Sequence, residues 1–365
     1  MIPIAKPYFS EEEKRAVIEV LESGIIAQGH KVEEFEKKFA DFCSVKYAVA
    51  VNSGTAALHA ALHSMGIKKN DEVITTPFTF IATANTILMV GAKPVFADIE
   101  EDTFNINPLQ IEQKITQRTK AILTVDLYGH LCDYEKISEI AKNNNLLLIE
   151  DACQSVNAQY KEKKAGSFGH IAAFSFYATK NLTCGEGGIL TTNNIDYSEN
   201  AKRFRQHGMS GLGAYDYNEI GYNYRMTDIS AAIMLEQLKK AEMLTKKRID
   251  NANYLNEKLK NVKGIKVPSV KKGFKHVFHQ YTVKVQGFKL SRDELFEHLR
   301  KKGIGCSIYY PKPLHLCKSF AKLGYKENNL PIAEKMSKEV ISLPVHPNVT
   351  KEQLDFIANS IASLG

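Results

Sequence analysis

A chain of 365 residues that is 44% hydrophobic and 24% charged has the composition of an ordinary soluble globular enzyme and is long enough for two domains. Its net charge of +7 is mild and suits an anionic small substrate, and no nucleic-acid-binding motif accompanies it, so we expect no nucleic acid partner. The six cysteines form no C-x-x-C pair, and neither a signal-peptide core nor a bilayer-spanning apolar stretch is present, so we expect a cytoplasmic protein with no metal and no membrane association.

Helices and short strands alternate over the first part of the chain. A capping box at Ser10–Glu13 predicts a helix to about Ser23, and a second helix is predicted over 32–42. Helical stretches then separate five β-prone runs, which cover 47–51, 73–75, 94–97, 121–125 and 146–150. This alternation predicts an α/β fold with a mostly parallel sheet that is covered on both faces.

The remaining elements predict a mixed sheet and a smaller second domain. Runs at 171–176 and 188–192 lie close together in the sequence and indicate a hairpin-like edge of the sheet. From about Thr227 the pattern becomes one long helix that leads into an α+β region. We therefore expect a large domain over 1–245 and a small C-terminal domain over 246–365.

Lys180 is the main candidate for a catalytic residue. It follows an apolar run and precedes the glycine-rich segment 185–188, where a backbone can approach a ligand closely. Asp151 stands directly after another apolar run, so both side chains are expected at strand ends. This is the pair that pyridoxal phosphate (PLP) needs, because the lysine forms a Schiff base with the cofactor and the carboxylate keeps the pyridinium nitrogen protonated. A single lysine is most often a solvated surface charge, so the interpretation depends on the accompanying motifs.

Three further motifs are compatible with a cofactor site, and each also has a purely structural interpretation. The turn Ser53–Ala56 joins a strand to a helix whose N-terminal N–H groups are able to bind a phosphate, or it simply starts a helix. Phe80 is placed to stack on a cofactor ring or to fill the core. Ser175, five residues before Lys180, is able to reach a phosphate with its hydroxyl or to serve the fold alone.

Two loops in the second half of the chain are candidates for substrate or subunit contacts. In the polar–aromatic loop 221–228, Asn223 and Arg225 are candidates for ligand contact or for a subunit interface. The segment Tyr309–His315 is dense in aromatic residues and prolines. Rigid loops of this kind line sugar or nucleotide sites, although a packing role is equally compatible with the pattern.

Taken together, these segments resemble the DegT/DnrJ/StrS group of nucleotide-sugar aminotransferases, which are fold-type-I PLP enzymes. The match extends over nearly the whole chain, and its most specific part is the string T-K-N-L-x-x-G-E-G-G that begins at Thr179. The resemblance implies that Lys180 is the Schiff-base lysine, that Asp151 pairs with the pyridinium nitrogen, and that Gln154 lies beside the ring oxygen or phosphate. It also implies a stacking role for Phe80.

The same resemblance implies the phosphate ligands and a subunit partner. The implied phosphate ligands are Gly54, Thr55, Ala56, Ser175 and, from the neighbouring subunit, Asn223. A residue donated across the interface would make a homodimer obligatory for catalysis. Candidate sugar contacts are Tyr309, His315 and Tyr177. The sequence departs from the group's common pattern at His30, Asp126 and His130, which affects the sugar contacts and not the PLP core.

The expected activity is transfer of an amino group from an amino acid, with L-glutamate as the expected donor, to a nucleotide-linked ketosugar. The amino sugar would serve cell-surface glycans such as lipopolysaccharide, or secondary metabolites. Group members with a histidine in place of the lysine are dehydratases, so Lys180 favours transamination. The alternatives are a PLP-dependent sugar dehydratase and a regulatory PLP-binding protein. A pure binding module would not need Lys180 with Asp151, and no helix-turn-helix signal is present.

Overall fold

The computed structural model describes residues 1–209 and 215–364. Its strands, in chain order, are β1 (Tyr47–Val51), β2 (Glu72–Thr75), β3 (Lys93–Phe96), β4 (Thr119–Val125), β5 (Leu147–Asp151), β6 (Gln159–Tyr160), β7 (Lys163–Lys164), β8 (Ile171–Ser175), β9 (Gly188–Thr192), β10 (Ile265–Lys266), β11 (Phe274–Lys275), β12 (Tyr281–Val285) and β13 (Val340–Leu343). Its helices are α1 (Glu11–Ser23), α2 (His30–Cys43), α3 (Gly54–Ser64), α4 (Ala82–Met89), α5 (Pro108–Glu112), α6 (Tyr134–Asn143), α7 (Ile195–Arg205), α8 (Asp228–Lys239), α9 (Ala241–Leu259), α10 (Arg292–Lys301), α11 (Pro331–Glu339) and α12 (Lys351–Ala362).

A seven-stranded sheet with the order β1-β9-β8-β5-β4-β2-β3 forms the centre of the molecule. The strands from β8 to β3 run parallel, whereas β9 is antiparallel to both of its neighbours, β8 and β1. The predicted α/β class with a mostly parallel, mixed sheet is therefore confirmed. The β8–β9 hairpin is not at the edge, however, because β1 pairs with β9 along its whole length and is itself the edge strand. All five residues of β9 are buried, which explains why this hairpin needs a cover on its outer side.

Apolar residues pack on both faces of this sheet. One cluster contains Phe35 and Phe39 of α2 with Phe174 and Phe176, and the other contains the Ala- and Leu-rich face of α3 with residues of α4. A third cluster lies around the C-terminal sheet β10-β12-β13 and includes Tyr281. The parallel strands end at the same edge of the large sheet, so residues that follow β4, β5 and β8 meet there.

The predicted long helix after Thr227 is in fact two helices, α8 and α9. The break falls at Lys240, whose ammonium bonds the buried carboxylate of Glu13 in α1 at 2.8 Å. This ion pair links the end of α8 to α1. The expected domain boundary between residues 245 and 246 lies inside α9, and the division into two domains stays a prediction. Within the described ranges, no helix has the length and apolar character needed to cross a membrane.

Asp228, the first residue of α8, caps the N-terminus of α2. Its Oδ1 accepts hydrogen bonds from the backbone N–H groups of Gly29 at 2.8 Å and Val32 at 3.0 Å, and its Oδ2 accepts one from Lys31 at 3.2 Å. The carboxylate is buried and lies at the positive end of the helix. One side chain thus fixes α2 to α8.

We expect Asp228→Ala to lower the free energy of unfolding by about 2–4 kcal/mol, because three backbone donors lose their acceptor. The measurement is urea denaturation followed by circular dichroism. Asp250→Ala is the matched control, since Asp250 makes an exposed ion pair with Lys246 within α9 and its loss should cost less than about 1 kcal/mol. Equal losses in the two variants would contradict the capping role.

Candidate active site

A cavity of about 480 Å³ lies where the parallel strands end, between the large sheet and the C-terminal part of the chain. Nine of its lining residues were predicted from the sequence, and they are Gly54, Thr55, Phe80, Asp151, Gln154, Ser175, Tyr177, Lys180 and Tyr309. A larger open groove of about 560 Å³ between α2, β1 and α7 is lined by none of the predicted site residues. The structure therefore brings most of the predicted set to one place.

The amine of Lys180 and the carboxylate of Asp151 are the two ionisable groups of this cavity that the predicted cofactor chemistry requires. Lys180 lies in the loop between β8 and β9, and burial lowers the pKa of its amine, while nearby Cys153 and Asp151 act in the opposite direction. Asp151 ends β5 and is only 5% exposed. Burial raises the pKa of Asp151, and a hydrogen bond from Thr83 and the charge of Lys180 oppose that rise.

The surroundings of Asp151 fit a cationic ring nitrogen. Thr83 Oγ1 donates to Asp151 Oδ2 at 2.7 Å, and the backbone N–H of Cys153 donates to Oδ1 at 3.2 Å. Within the described ranges no lysine, arginine or histidine forms an ion pair with this carboxylate. A buried carboxylate without a charged partner is costly, so a bound cation would satisfy it.

The turn at the start of α3 fits a phosphate. Ser53 caps the helix by accepting a hydrogen bond from the N–H of Ala56 at 3.1 Å, which leaves the N–H groups of Gly54 and Thr55 free of this cap. A Cβ atom at Gly54 would lie 2.7 Å from the Cβ of Ser175, so only glycine fits beside that hydroxyl residue. Gly188 is equally constrained, because a Cβ there would lie 2.3 Å from the carbonyl oxygen of Ser53. A phosphate at this helix end would meet backbone donors and the positive end of the dipole.

Aromatic side chains line the open side of the cavity. Phe80 is 57% exposed and makes no aromatic contact within the described residues, so one face of its ring is available for stacking. Tyr177 is also exposed there, and Tyr309 is partly buried. Gln154 is held by two bonds, since its Oε1 accepts from the N–H of Tyr128 at 2.9 Å and its Nε2 donates to the hydroxyl of Tyr310 at 3.3 Å.

Two residues that were predicted for this subunit's own site, His315 and Ala56, do not line this cavity. His315 is fully buried elsewhere, with its Nε2 at 3.1 Å from Glu334, because the turn that carries it is tied to Pro77 through the N–H of Leu314. Ala56 is buried and its N–H is used by the Ser53 cap. Asn223, which is predicted to act from a neighbouring subunit, is exposed and does not line its own subunit's cavity; its backbone carbonyl accepts a hydrogen bond from the side chain of Asn52 at 3.3 Å.

The three departures from the common pattern serve the fold and do not line the cavity. Asp126 is buried and accepts hydrogen bonds from the hydroxyls of Tyr134 at 2.9 Å and Ser155 at 3.0 Å, and burial raises its pKa to about 7. His130 is buried and stacks on Phe274. His30 lies on the surface, 3.7 Å from Asp228.

Sequence reasoning missed Thr83, Cys153, His279, Gln280 and Tyr310 as lining residues with defined roles. Nothing in the local sequence marked Thr83, whose hydroxyl lies 3.1 Å from that of Thr79, a residue that precedes α4. His279 and Gln280 reach the cavity from the segment before β12, and nothing in the local sequence indicates that approach.

Comparison with known proteins identifies the family. The model of the DegT/DnrJ/EryC1/StrS aminotransferase family matches residues 7–362. The chain belongs to this family. It is 40% identical to GDP-perosamine synthase of Caulobacter vibrioides over 357 residues, covering 97% of this chain and 95% of that protein.

Two solved structures of family relatives support the fold and the cofactor. Helicobacter pylori PseC, an aminotransferase involved in the biosynthesis of pseudoaminic acid, is 34% identical with a TM-score of 0.93, covering 100% of this chain and 98% of that one. The PLP form of Spr1654 from Streptococcus pneumoniae is 30% identical with a TM-score of 0.94, covering 100% of this chain and 98% of that one. Family members are PLP-dependent aminotransferases of fold type I, so the predicted fold, cofactor and enzyme class are confirmed.

We expect Thr83→Val to weaken PLP binding by about 10- to 100-fold, because the substitution keeps the shape of the side chain and removes a hydrogen bond to a buried carboxylate. The measurement is equilibrium dialysis of the apoprotein against PLP. Thr86→Val is the matched control, since Thr86 is buried on the same helix and its hydroxyl donates to the carbonyl of Thr83 at 3.1 Å. The same loss in both variants would show that the effect comes from the helix and not from Asp151.

Proposed function

We propose that the protein transfers the amino group of L-glutamate to the keto carbon of a nucleotide-linked sugar and so makes an amino sugar for cell-surface or secondary-metabolite glycans. The observation that carries this proposal is the presence of Lys180 and the buried, ion-pair-free carboxylate of Asp151 in one cavity. Membership of an aminotransferase family and the sugar-related names of the relatives support it.

Different residues of the cavity would bind different parts of the cofactor. Gly54, Thr55 and Ser175 would hold the phosphate, and Asp151 would face the ring nitrogen. Phe80 would cover one face of the ring. When bound, PLP supplies an electron sink that stabilises negative charge at the carbon attached to the reacting nitrogen.

Lys180 moves the proton of the reaction. Its Nζ takes a proton from the α-carbon of the amino acid, and in the second half of the cycle it delivers a proton to the sugar carbon that has received nitrogen. Because burial lowers the pKa of Lys180, more of its amine is in the base form near neutral pH than for an exposed lysine. The amino acid leaves as its 2-oxo acid before the sugar binds, so the kinetics should be ping-pong.

The charge of the cavity supports a homodimer. Among the lining residues that the structure describes, Lys180 is the only lysine or arginine, whereas Asp151 and Glu186 are acidic. Glutamate carries two carboxylates and a nucleotide sugar carries phosphates, so both substrates need further polar and cationic partners. Asn223, which is exposed, and Arg225, which is half-buried, are candidates to supply them to the site of a neighbouring subunit.

Mixed dimers test whether Asn223 acts across the interface. Lys180→Ala and Asn223→Ala proteins are each expected to be impaired as homodimers, whereas co-expressed and separated as a heterodimer they should regain about half of the wild-type rate. One site of the heterodimer then has both Lys180 and Asn223 from different chains. A heterodimer no more active than the two homodimers would place Asn223 in its own subunit's site.

The first test of the function is absorption spectroscopy of the holoenzyme with L-glutamate. We expect the visible cofactor band to be replaced by a near-ultraviolet band as 2-oxoglutarate is released, and a nucleotide-linked ketosugar to restore the visible band with formation of the amino sugar. A spectrum that glutamate leaves unchanged would overturn the choice of donor. Consumption of the ketosugar without stoichiometric 2-oxoglutarate would indicate dehydration in place of transamination.

A further inference from the structure

His279 reaches the active-site cavity from the segment before β12 and is not one of the residues that hold the cofactor or move the proton in the proposed reaction. Its side chain is only 7% exposed, and it lines the same cavity as Lys180 and Asp151. Buried polar atoms are normally hydrogen-bonded, so a ring nitrogen of His279 that has no partner in the protein is a candidate to bind a ligand in the cavity.

Asn181, the residue after Lys180, fixes the position of the imidazole proton. The Nδ2 of Asn181 donates to the carbonyl of Val277 at 3.1 Å, so its Oδ1 is turned towards Nδ1 of His279 at 3.3 Å. An amide oxygen only accepts, and Nδ1 of the neutral ring must therefore carry the hydrogen. The other nitrogen, Nε2, then holds a lone pair.

Nε2 of His279 has no protein partner in the described part of the chain and is not fully enclosed, and the residue lines the cavity. No residue in the described part of the chain donates a hydrogen bond to it. Nε2 of His279 is accessible. By contrast, the unpaired Nδ1 atoms of His315 and His346 are completely enclosed by protein. Nε2 is therefore a hydrogen-bond acceptor that is available to a ligand bound in the cavity.

The ring stays neutral, so it accepts and does not act as a cation. Burial lowers the pKa of His279 well below its ordinary value, and the nearby charges of Lys180 and Arg248 act in the same direction. Arg248 also holds the segment in place, because its Nη1 donates to the carbonyls of Phe278 at 3.3 Å and His279 at 3.5 Å. Neither Lys180 nor Asp151 is hydrogen-bonded to the imidazole in the described part of the chain, and all three residues line the same cavity.

We propose that Nε2 of His279 accepts a hydrogen bond from a hydroxyl group of the ketosugar close to the carbon that receives nitrogen. The inference rests on the proposed function, because it assigns one residue to the second substrate of that reaction. An acceptor without a proton requires a donor on the ligand, and a sugar ring presents hydroxyl donors on the carbons beside its keto group. Glutamate has no hydroxyl, and its one N–H donor is the amino group that reacts, so loss of the His279 acceptor should affect the ketosugar half-reaction more than the glutamate half-reaction.

The test compares the two half-reactions in His279→Phe and His279→Gln holoenzymes by stopped-flow absorption. We expect the glutamate half-reaction of His279→Phe to stay within about 3-fold of wild type, and its ketosugar half-reaction to slow by about 10- to 100-fold, because the sugar hydroxyl loses its acceptor. His279→Gln keeps an acceptor oxygen near the position of Nε2 and should recover part of the loss. Equal slowing of both half-reactions would show a structural role and overturn the proposal.

A binding measurement separates this inference from the proposed function. In a Lys180→Ala background that prevents turnover, calorimetry should show about 10-fold weaker binding of the ketosugar nucleotide after His279→Phe, and unchanged binding of the nucleoside diphosphate alone. Unchanged binding of both ligands would overturn the role of His279 while leaving the aminotransferase reaction intact. Failure of the wild-type enzyme to react with any ketosugar nucleotide would instead contradict the proposed function.

Discussion

Lys180→Ala should reduce turnover by at least about 10⁴-fold while the protein still binds PLP, because one amine both attaches the cofactor and moves the proton. No other lysine or arginine lines the cavity among the described residues, so no neighbouring amine is placed to replace it. The measurements are steady-state rates of amino sugar formation and the visible absorption band of the bound cofactor, which should shift when its attachment to Lys180 is lost.

Two controls make the Lys180 experiment specific. Lys239→Ala removes an exposed lysine that pairs with Glu236 on α8 and should leave the rate within about 2-fold of wild type. Added methylamine should restore part of the activity of Lys180→Ala, because a small amine is able to enter the emptied space and carry the proton. Sustained turnover by a clean Lys180→Ala preparation without added amine would contradict the assignment.

Asp151→Ala should slow turnover by about 10²- to 10³-fold and weaken cofactor binding, because a nearby opposite charge changes a partner's pKa by up to about three units. Without the carboxylate, the cofactor's ring nitrogen is less often protonated and withdraws electrons less strongly. Asp151→Glu is expected to recover part of the rate, since it keeps the charge. The measurements are the rate of the glutamate half-reaction and the dissociation constant of PLP.

Asp126→Asn is the matched control for Asp151. Asp126 is also a buried carboxylate just after a parallel strand, but it bonds Tyr134 and Ser155 and does not line the cavity. Its replacement should lower thermal stability with little change in the PLP affinity of the folded protein. If Asp126→Asn and Asp151→Ala weakened PLP binding equally, a general loss of packing would explain both results.

The sequence predicts best those features that are set by neighbouring residues. Lys180 and Asp151 were identifiable because each follows an apolar, β-prone run, and the common end of parallel strands then brings them together. The limits of β1 and of α1 agree with the prediction for the same reason, since local periodicity and caps define them.

Features that depend on distant contacts were not predictable from one sequence. The break between α8 and α9 falls at Lys240, whose ion-pair partner Glu13 lies more than two hundred residues earlier in the chain. The cover of the β8–β9 hairpin by β1 depends on a strand pairing that no local pattern records. His315 and Tyr309 belong to one short segment, yet only Tyr309 reaches the cavity, because the hydrogen bond to Pro77 orients the turn between them.

The close contact between Gly188 and Ser53 means that residues on this side of the cavity cannot be replaced by larger ones, whereas residues on the other side are open to redesign. Gly188 leaves no room for a side chain because the backbone of Ser53 lies against it, and Gly54 leaves none because the side chains of Ser175 and Cys153 do. A library built to change the sugar that the enzyme accepts should therefore keep this side fixed and vary the opposite wall around His279 and Tyr309.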